Sequence, residues 1–586
     1  MDEDEIRKIL WLNGLKNAVK FGGTPNKKAI MGKLMAEQPE LRSHAKEINP
    51  LLDEIITEIS DLNTDEQTKL LLEIDPQALD KQGTIVEEKE LPELPNVKNY
   101  KKVIMRLAPY PSGALHIGNA RMVVLNDEYV KQYGGELILF YDDTIGSPKA
   151  LRDSPKAKYV LPEAYELIKE GLEWLGVDYK KVYYKSERLD IFYEYCKTLI
   201  EQNMAYVCFC SADEFREKYK NKQKDCPHRN TQVGNNLDEW NNMLNRKYHE
   251  GDAVVRLKTG MDQEDPALRD QIIMRISEAS HPKVGEKYIV WPMLEFSWAI
   301  DDHLINVSHI LRGADLVKED KIEEFVWNYF DWKKAEFLHY GRLRFPDMKL
   351  SKTETRNNIQ NEMYLGWDDP RTWSLQSLKM RGIRPEALRT SLLDLGMSIA
   401  GITFDVRWLY SKNQEIIDGI SNRYFFVESP VLLSISGLPF EDVTAEPLLL
   451  PTNPEIGHRT IKSKVDEGNL NVFISKKDAI KLKENTILRL KDLFNIHITS
   501  VNKEHAQIKA SYHSRKLDRK YSIIHWVLEG QNVDVKILKP DGTIDEGFGE
   551  INLADIPLNH TIQFERYGFV NPIKYENNEL FCYFTH

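Results

Sequence analysis

The chain has 586 residues, 41% hydrophobic and 29% charged, and 79 Lys and Arg against 91 Asp and Glu give a net charge of −12. That length exceeds one core and predicts three to five domains. The acidic balance excludes a protein that coats nucleic acid indiscriminately, but it leaves room for a nucleic-acid enzyme with local basic patches. No apolar run is long enough for a membrane span, and the opening "MDEDEIRK" lacks the basic-then-apolar plan of a signal peptide. Five cysteines in so long a chain make no disulfide framework, so a reducing, cytoplasmic setting is expected.

In chain order, residues 1–80 read as helical. "EIRKILWLNGLKNAVKF" spaces Ile6, Ile9, Leu10 and Val19 near the helical period, and "NPLLDEIITEISDL" repeats the pattern with Asn49 as a cap before Pro50. Residues 81–100, with Pro92 and Pro95 amid charge, read as a linker. From Lys101 the texture becomes α/β. The strand "KVIMRL", a loop, the helix "NARMVVLNDEYVKQYG" and the strand "ELILFY" form a βαβ unit and imply a parallel sheet. Helices "LPEAYELIKEGLEWLG" and "SERLDIFYEYCKTLIEQ" fit the same layer. Residues 205–290 are irregular. Beyond about 420, short strands and turns such as "KPDGT" predict one or two small β-barrels.

The loop "APYPSGALHIGNARMVV", residues 108–124, joins the first strand to the first helix of that unit. Unpaired N–H groups at a helix N-terminus form an anion site. Gly113 and Gly118 let backbone approach a ligand, and His116 can donate to a phosphate oxygen. The plain alternative is that His116 only caps a helix. A second stretch, "FPDMKLSKTETRNN", offers Lys349, Ser351 and Lys352, two ammonium groups and a hydroxyl suited to a triphosphate.

In this order and at this separation the two stretches resemble the paired signatures of class I aminoacyl-tRNA synthetases. "RLAPYPSGALHIGNARMVVLNDEYV", "FYDDT", "VWPMLEFSWAIDDHLINVSHILRGAD", "HYGRLRF" and "GWDDPRTWSLQSLKMRGIRPEALR" look like the glutamyl/glutaminyl branch. The helical N-terminal part and β-rich tail, with "IHWV" and "FERYGF", are similar to the archaeal type of glutamyl-tRNA synthetase. The resemblance covers nearly the whole chain. It implies a multidomain protein: a helical N-terminal domain at 1–80, a linker at 81–100 and a Rossmann-like catalytic domain at 101–204 and 291–360. An acceptor-end-binding insertion would occupy 205–290, a stem-contact region 361–421 and all-β anticodon-binding barrels 422–586.

By that resemblance Ala108, Pro109, Gly113, His116, Gly118 and Asn119 contact ATP. Lys349, Ser351 and Lys352 hold its phosphates, with magnesium accompanying the leaving pyrophosphate. Arg106 and Arg312 fall where two guanidinium groups hold glutamate, as two carboxylates demand, and Asp142 where a carboxylate holds the substrate ammonium. Several residues depart from the family pattern. Tyr110 stands for a smaller polar residue, Phe140 for an arginine and Leu294 for a tyrosine, and Ile145 and Gly146 stand for Asp-Pro. Tyr110 is a candidate for the hydroxyl that Leu294 lacks.

Cys208, Cys210, Cys226 and His228 form Cys-x-Cys, fifteen residues, Cys-x-His. Three thiolates and an imidazole suit a closed, structural zinc site. Cys196 and Cys582 are expected in cores.

The activity implied is ATP-dependent attachment of glutamate to tRNA(Glu), through a glutamyl-adenylate and transfer to the 2′-hydroxyl of the terminal adenosine. Further expectations are charging of tRNA(Gln) and a tRNA-dependent amidotransferase as partner. The alternatives are a glutaminyl-tRNA synthetase and an RNA-binding paralogue that has lost catalysis.

Overall fold

A computed structural model describes residues 3–21, 25–38, 41, 44–74, 91–145, 158–346, 348–502 and 507–586. Residues 81–90 of the expected linker and Gly146 lie outside them. The chain forms two compact units, Met1–Lys89 and Glu90–His586.

The first unit holds helices α1 (Glu3–Phe21), α2 (Lys27–Glu37), α3 (Ala45–Ser60) and α4 (Thr64–Ile74). Leu10, Leu15, Leu34, Leu52, Ile55 and Ile59 form its core. The cap expected at Asn49 is not one: α3 begins at Ala45 and carries Pro50 inside it. Inside the helix the proline gives up the bond its missing N–H would make to Lys46 and crowds that carbonyl.

The second unit is built on parallel strands. β1 (Ile104–Leu107) pairs with β2 (Glu136–Tyr141), and β2 with β3 (Lys181–Tyr184). Helix α5 (Ile117–Gln132) is the crossover between β1 and β2, and its buried Ile117, Ala120, Val123 and Val124 pack into the main core. Gly134, in the left-handed region at φ +59°, terminates the turn after α5. A four-stranded antiparallel sheet follows: β4 (Ala205–Cys208), β5 (Val254–Leu257), β6 (Ile272–Ile276) and β7 (Val290–Pro292). The parallel pair β8 (His309–Gly313) and β9 (Glu336–Tyr340) returns the chain to the first sheet. There the Ser308 N–H donates to Ile104 O at 2.9 Å.

Beyond residue 420 the chain is β-rich, in two seven-stranded sheets that resemble barrels or half-barrels. One contains Arg423–Tyr424 and Phe426–Glu428 together with five strands between Asn532 and Phe584; the other contains seven of the strands between Pro430 and Leu528, the pair Asp442–Ala445 and Ile461–Lys464 forming a separate two-stranded sheet. The turn "KPDGT" is a hairpin in which Asp541 Oδ1 accepts from Thr543 N at 2.9 Å and Gly542 has φ +88°. Cys196 and Cys582 are buried, as expected. Among the described residues no helix is long and apolar enough to cross a membrane.

Candidate active site and metal centre

The carboxyl ends of β1, β2, β3 and β8 converge, which is where parallel α/β sheets bind ligands. The loop after β1 delivers His116 to the N-cap of α5. Its Nδ1 accepts from Gly118 N at 3.1 Å, and Asn119 Oδ1 accepts from His116 N at 3.2 Å. His116 is therefore a cap, and the cap sets its tautomer. With Nδ1 accepting, the proton of the neutral ring sits on Nε2, free to donate to an anion. Burial, then the charge of Lys352, pushes its pKa down to about 3, so the ring stays neutral at ordinary pH.

A cleft of about 650 Å³ opens over this helix terminus, lined by Ala108, Pro109, Tyr110, Ser112, His116, Asn119, Lys158, Ser351 and Lys352, among others. Ser351 caps the helix Lys352–Gln360, its Oγ accepting from Glu354 N at 3.3 Å. Lys352 Nζ donates to Gly113 O at 3.3 Å. Burial, then repulsion from Lys158, lowers the Lys352 pKa to about 8. Two ammonium groups that repel each other over a helix N-terminus are arranged for a polyanion.

Three of the expected residues lie outside the lining of this cleft. Lys349 is exposed and outside the lining, while its neighbours Leu350 and Ser351 are part of it. Gly113 and Gly118 also lie outside the lining, and neighbouring side chains leave no room for a Cβ at either. A Cβ on Gly113 (φ +143°) would lie 2.2 Å from the Trp367 ring, and one on Gly118 would lie 2.9 Å from the His116 ring.

Arg106 and Arg312 are buried rather than in surface ion pairs. Arg106 grips Asp302 with two bonds, Nε to Oδ1 at 2.5 Å and Nη2 to Oδ2 at 2.8 Å. Arg312 pairs with Glu323 at 2.7 Å and with Asp320. Asp142, just past β2, lies 3.6 Å from Lys185 Nζ, just past β3. Burial raises the Asp142 pKa and lowers that of Lys185, and each charge supports the other. The Trp298 ring has Arg106, Lys185 and Arg312 within 4.5, 5.0 and 5.2 Å of its centroid.

The departures from the family pattern are partly absorbed elsewhere. Phe140 stacks on Tyr183 in the core, with centroids 4.9 Å apart. Leu294 opens the helix Leu294–Leu304. Tyr110 lines both the cleft and a neighbouring cavity of about 630 Å³ shared with Lys158, His281 and Pro282. Sequence reasoning missed Lys158, Lys185, Trp298 and Asp302. For Lys185 a signal existed: it follows "KVYY", a strand that joins the same parallel sheet.

Cys208 at the end of β4, Cys210, Cys226 and His228 bring three thiols and an imidazole nitrogen within 4.8 Å of one another. Cys208 and Cys226 sulfurs are 3.9 Å apart, and His228 Nδ1 lies 3.8 Å from Cys208 and 3.5 Å from Cys210. Tetrahedral zinc with ordinary bond lengths implies S–S edges of about 3.8 Å and S–N edges of about 3.6 Å. The four residues can hold such a metal. Behind them Cys226 Sγ reaches Tyr206 Oη at 3.6 Å, and Tyr206 donates to buried Asp270 at 2.9 Å.

A cleft at a βαβ turn, faced by Lys158 and by Lys352 from a distant loop, together with a buried charged cluster at the strand ends, is the layout of a Rossmann-type enzyme. Residues 102–415 match the family model described as the catalytic domain of class I tRNA synthetases (E and Q). Residues 421–513 and 523–572 match two anti-codon binding domain models of the same group. The chain belongs to this family. It is 39% identical over 589 residues to a glutamate–tRNA ligase of Pyrococcus abyssi, covering 99% of this chain and 100% of that one. It is 40% identical over 590 residues to one of Thermococcus kodakarensis, with full coverage of both. A third, from Methanocaldococcus jannaschii, is 40% identical over 98% of each chain.

Proposed function

We propose that the chain is a glutamate–tRNA ligase, acting with the translation machinery in the cytoplasm. Full-length similarity to proteins of that name supports the reading. The observation that carries it is that the His116–Lys352 cleft opens after β1 while the buried charged cluster of Arg106, Asp142 and Arg312 stands at the carboxyl ends of β1, β2 and β8. ATP lies in the cleft, where His116 Nε2–H and the ammonium of Lys352 meet phosphate oxygens; Ser351 and the nearby Lys349 complete the loop around them. Glutamate lies beside Arg106, Asp142 and Arg312. An oxygen of its α-carboxylate attacks the α-phosphorus and the bond to pyrophosphate breaks. The 2′-hydroxyl of the terminal adenosine of tRNA then attacks the acyl carbon, and AMP leaves. Magnesium accompanies the triphosphate as counter-ion and supplies charge neutralisation. The chain's own contribution is positioning and fixed charge.

Zinc held by Cys208, Cys210, Cys226 and His228 cross-links residues 205–290, the segment that grips the acceptor end in this reading. Residues 361–421 meet the stem and 422–586 the anticodon. tRNA(Gln) is a second acceptor, whose product a tRNA-dependent amidotransferase would convert. Charging separate tRNA(Glu) and tRNA(Gln) transcripts with glutamate and with glutamine tests the reading. Glutamate on tRNA(Glu) is the required product. Rejection of tRNA(Gln) by three to four orders of magnitude, about 4–5.5 kcal/mol, would remove the second acceptor alone.

A further inference from the structure

Lys185 has no role in the reading above, although it is fully buried at the end of β3, beside the Asp142 to which that reading brings the substrate ammonium. Charged residues are buried only where something answers them. The other cations of this neighbourhood are each answered by a close carboxylate: Arg106 by Asp302, Arg312 by Glu323 and Asp320, and Arg188 by Asp301 at 2.7 Å. Such clamped guanidinium groups add little net positive charge. The Lys185 ammonium is held differently. Its short bond goes to the neutral Ser297 hydroxyl, at 2.7 Å, and that hydroxyl donates onward to Leu294 O at 2.9 Å. Its nearest carboxylate, Asp142, is 3.6 Å away, beyond hydrogen-bond length.

We propose that Lys185 sets the charge of the amino-acid pocket and so determines selection of a dicarboxylic amino acid over its neutral amide. This rests on the ligase reading and on Asp142 as acceptor of the substrate ammonium. The entering ammonium takes over Asp142 and releases the positive charge of Lys185 to the substrate's second carboxylate. Without Lys185, Asp142 keeps only the incoming ammonium, and nothing unclamped answers the second carboxylate. A neutral side chain such as glutamine's loses far less, because it brings no charge to be answered.

The test is Lys185→Gln, assayed for charging of tRNA(Glu) transcript with glutamate and with glutamine. One charge at about 6 Å in a medium of effective dielectric about 20 is worth about 100-fold. The ratio of kcat/KM for glutamate over glutamine should fall by about that factor, chiefly through the glutamate KM, with the KM for ATP little changed. An equal loss on both amino acids would reduce Lys185 to a structural role and overturn the proposal. If that variant does not fold, Ser297→Ala removes only the hydroxyl that holds the ammonium. Its ratio should fall by about 3–10-fold, and an unchanged ratio overturns the proposal equally. Wild-type protein that fails to charge glutamate at all would refute the ligase reading instead.

Discussion

Lys352 Nζ donates to the carbonyl oxygen of Gly113 across 239 residues of sequence, at 3.3 Å. The bond ties the basic loop to the loop that leads into the helix capped by His116, so the two stretches form one structure. Preorganised donors of this kind stabilise charge without reorganising during reaction.

Lys352→Ala should lower tRNA-dependent ATP–pyrophosphate exchange by about 10²–10³-fold, or ~3–4 kcal/mol. Affinity for tRNA should stay as it was. Exchange at the wild-type rate would remove Lys352 from the chemistry.

The Lys352 pKa of about 8, set by burial and by Lys158, also fixes a pH dependence. The ammonium is charged below that value and neutral above it, and neutral His116 beside it contributes no titration there. The kcat/KM for ATP, which reports the free enzyme, should therefore fall as pH rises through about 8. Lys352→Arg should flatten that limb. A profile that stays level well above pH 8 in wild-type protein would contradict the assignment.

His116 has two duties that substitution can separate. Alanine removes both the cap and the donor, and should cost about 1 kcal/mol of stability together with exchange activity. Asparagine can cap but cannot present a donor where Nε2 does. His116→Asn should therefore melt close to wild type and remain slow in exchange. Thermal unfolding and exchange measured on both variants would show whether the duties divide this way.

Gly113→Ala meets the Trp367 ring and a backbone angle that disfavours any side chain. Strain on the order of 1–3 kcal/mol is expected, read as a lower midpoint in denaturant. Adding Trp367→Ala should recover part of it, since the clash goes and the backbone angle stays. No recovery would mean that the ring is not the obstacle.

Protein purified without added metal should carry one zinc per chain, lost in a Cys208→Ser/Cys226→Ser double variant. Chelation should loosen residues 205–290 before the nucleotide domain, because ligand binding and local folding are linked. Hydrogen exchange resolved by segment, beside metal analysis, decides both points.

The βαβ unit was legible because its strand, loop and helix are contiguous in sequence and carry their own periodicity. The same holds for the Cys/His cluster, whose four residues span 21 positions. Contacts made across the fold were not legible. Trp367 as the reason for Gly113, Asp302 as the clamp on Arg106, and Ser297 as the acceptor for Lys185 each join residues more than a hundred positions apart. Asn49 misled as a cap because α3 starts at Ala45 and runs on through Pro50, so the proline does not mark its first turn.

The sheet that holds Arg423–Tyr424 and Phe426–Glu428 has a strand order with a bearing on synthesis. Its last strand in the chain, Glu579–Phe584, is its central one, with three strands on each side. A ribosome making this protein must deliver that strand before the two halves can join. The other β-rich sheet draws on strands up to Leu528 alone and is complete while the central strand of its neighbour is still unmade. The order of translation thus runs against the order of the sheet: its edges emerge first, and its middle closes it last.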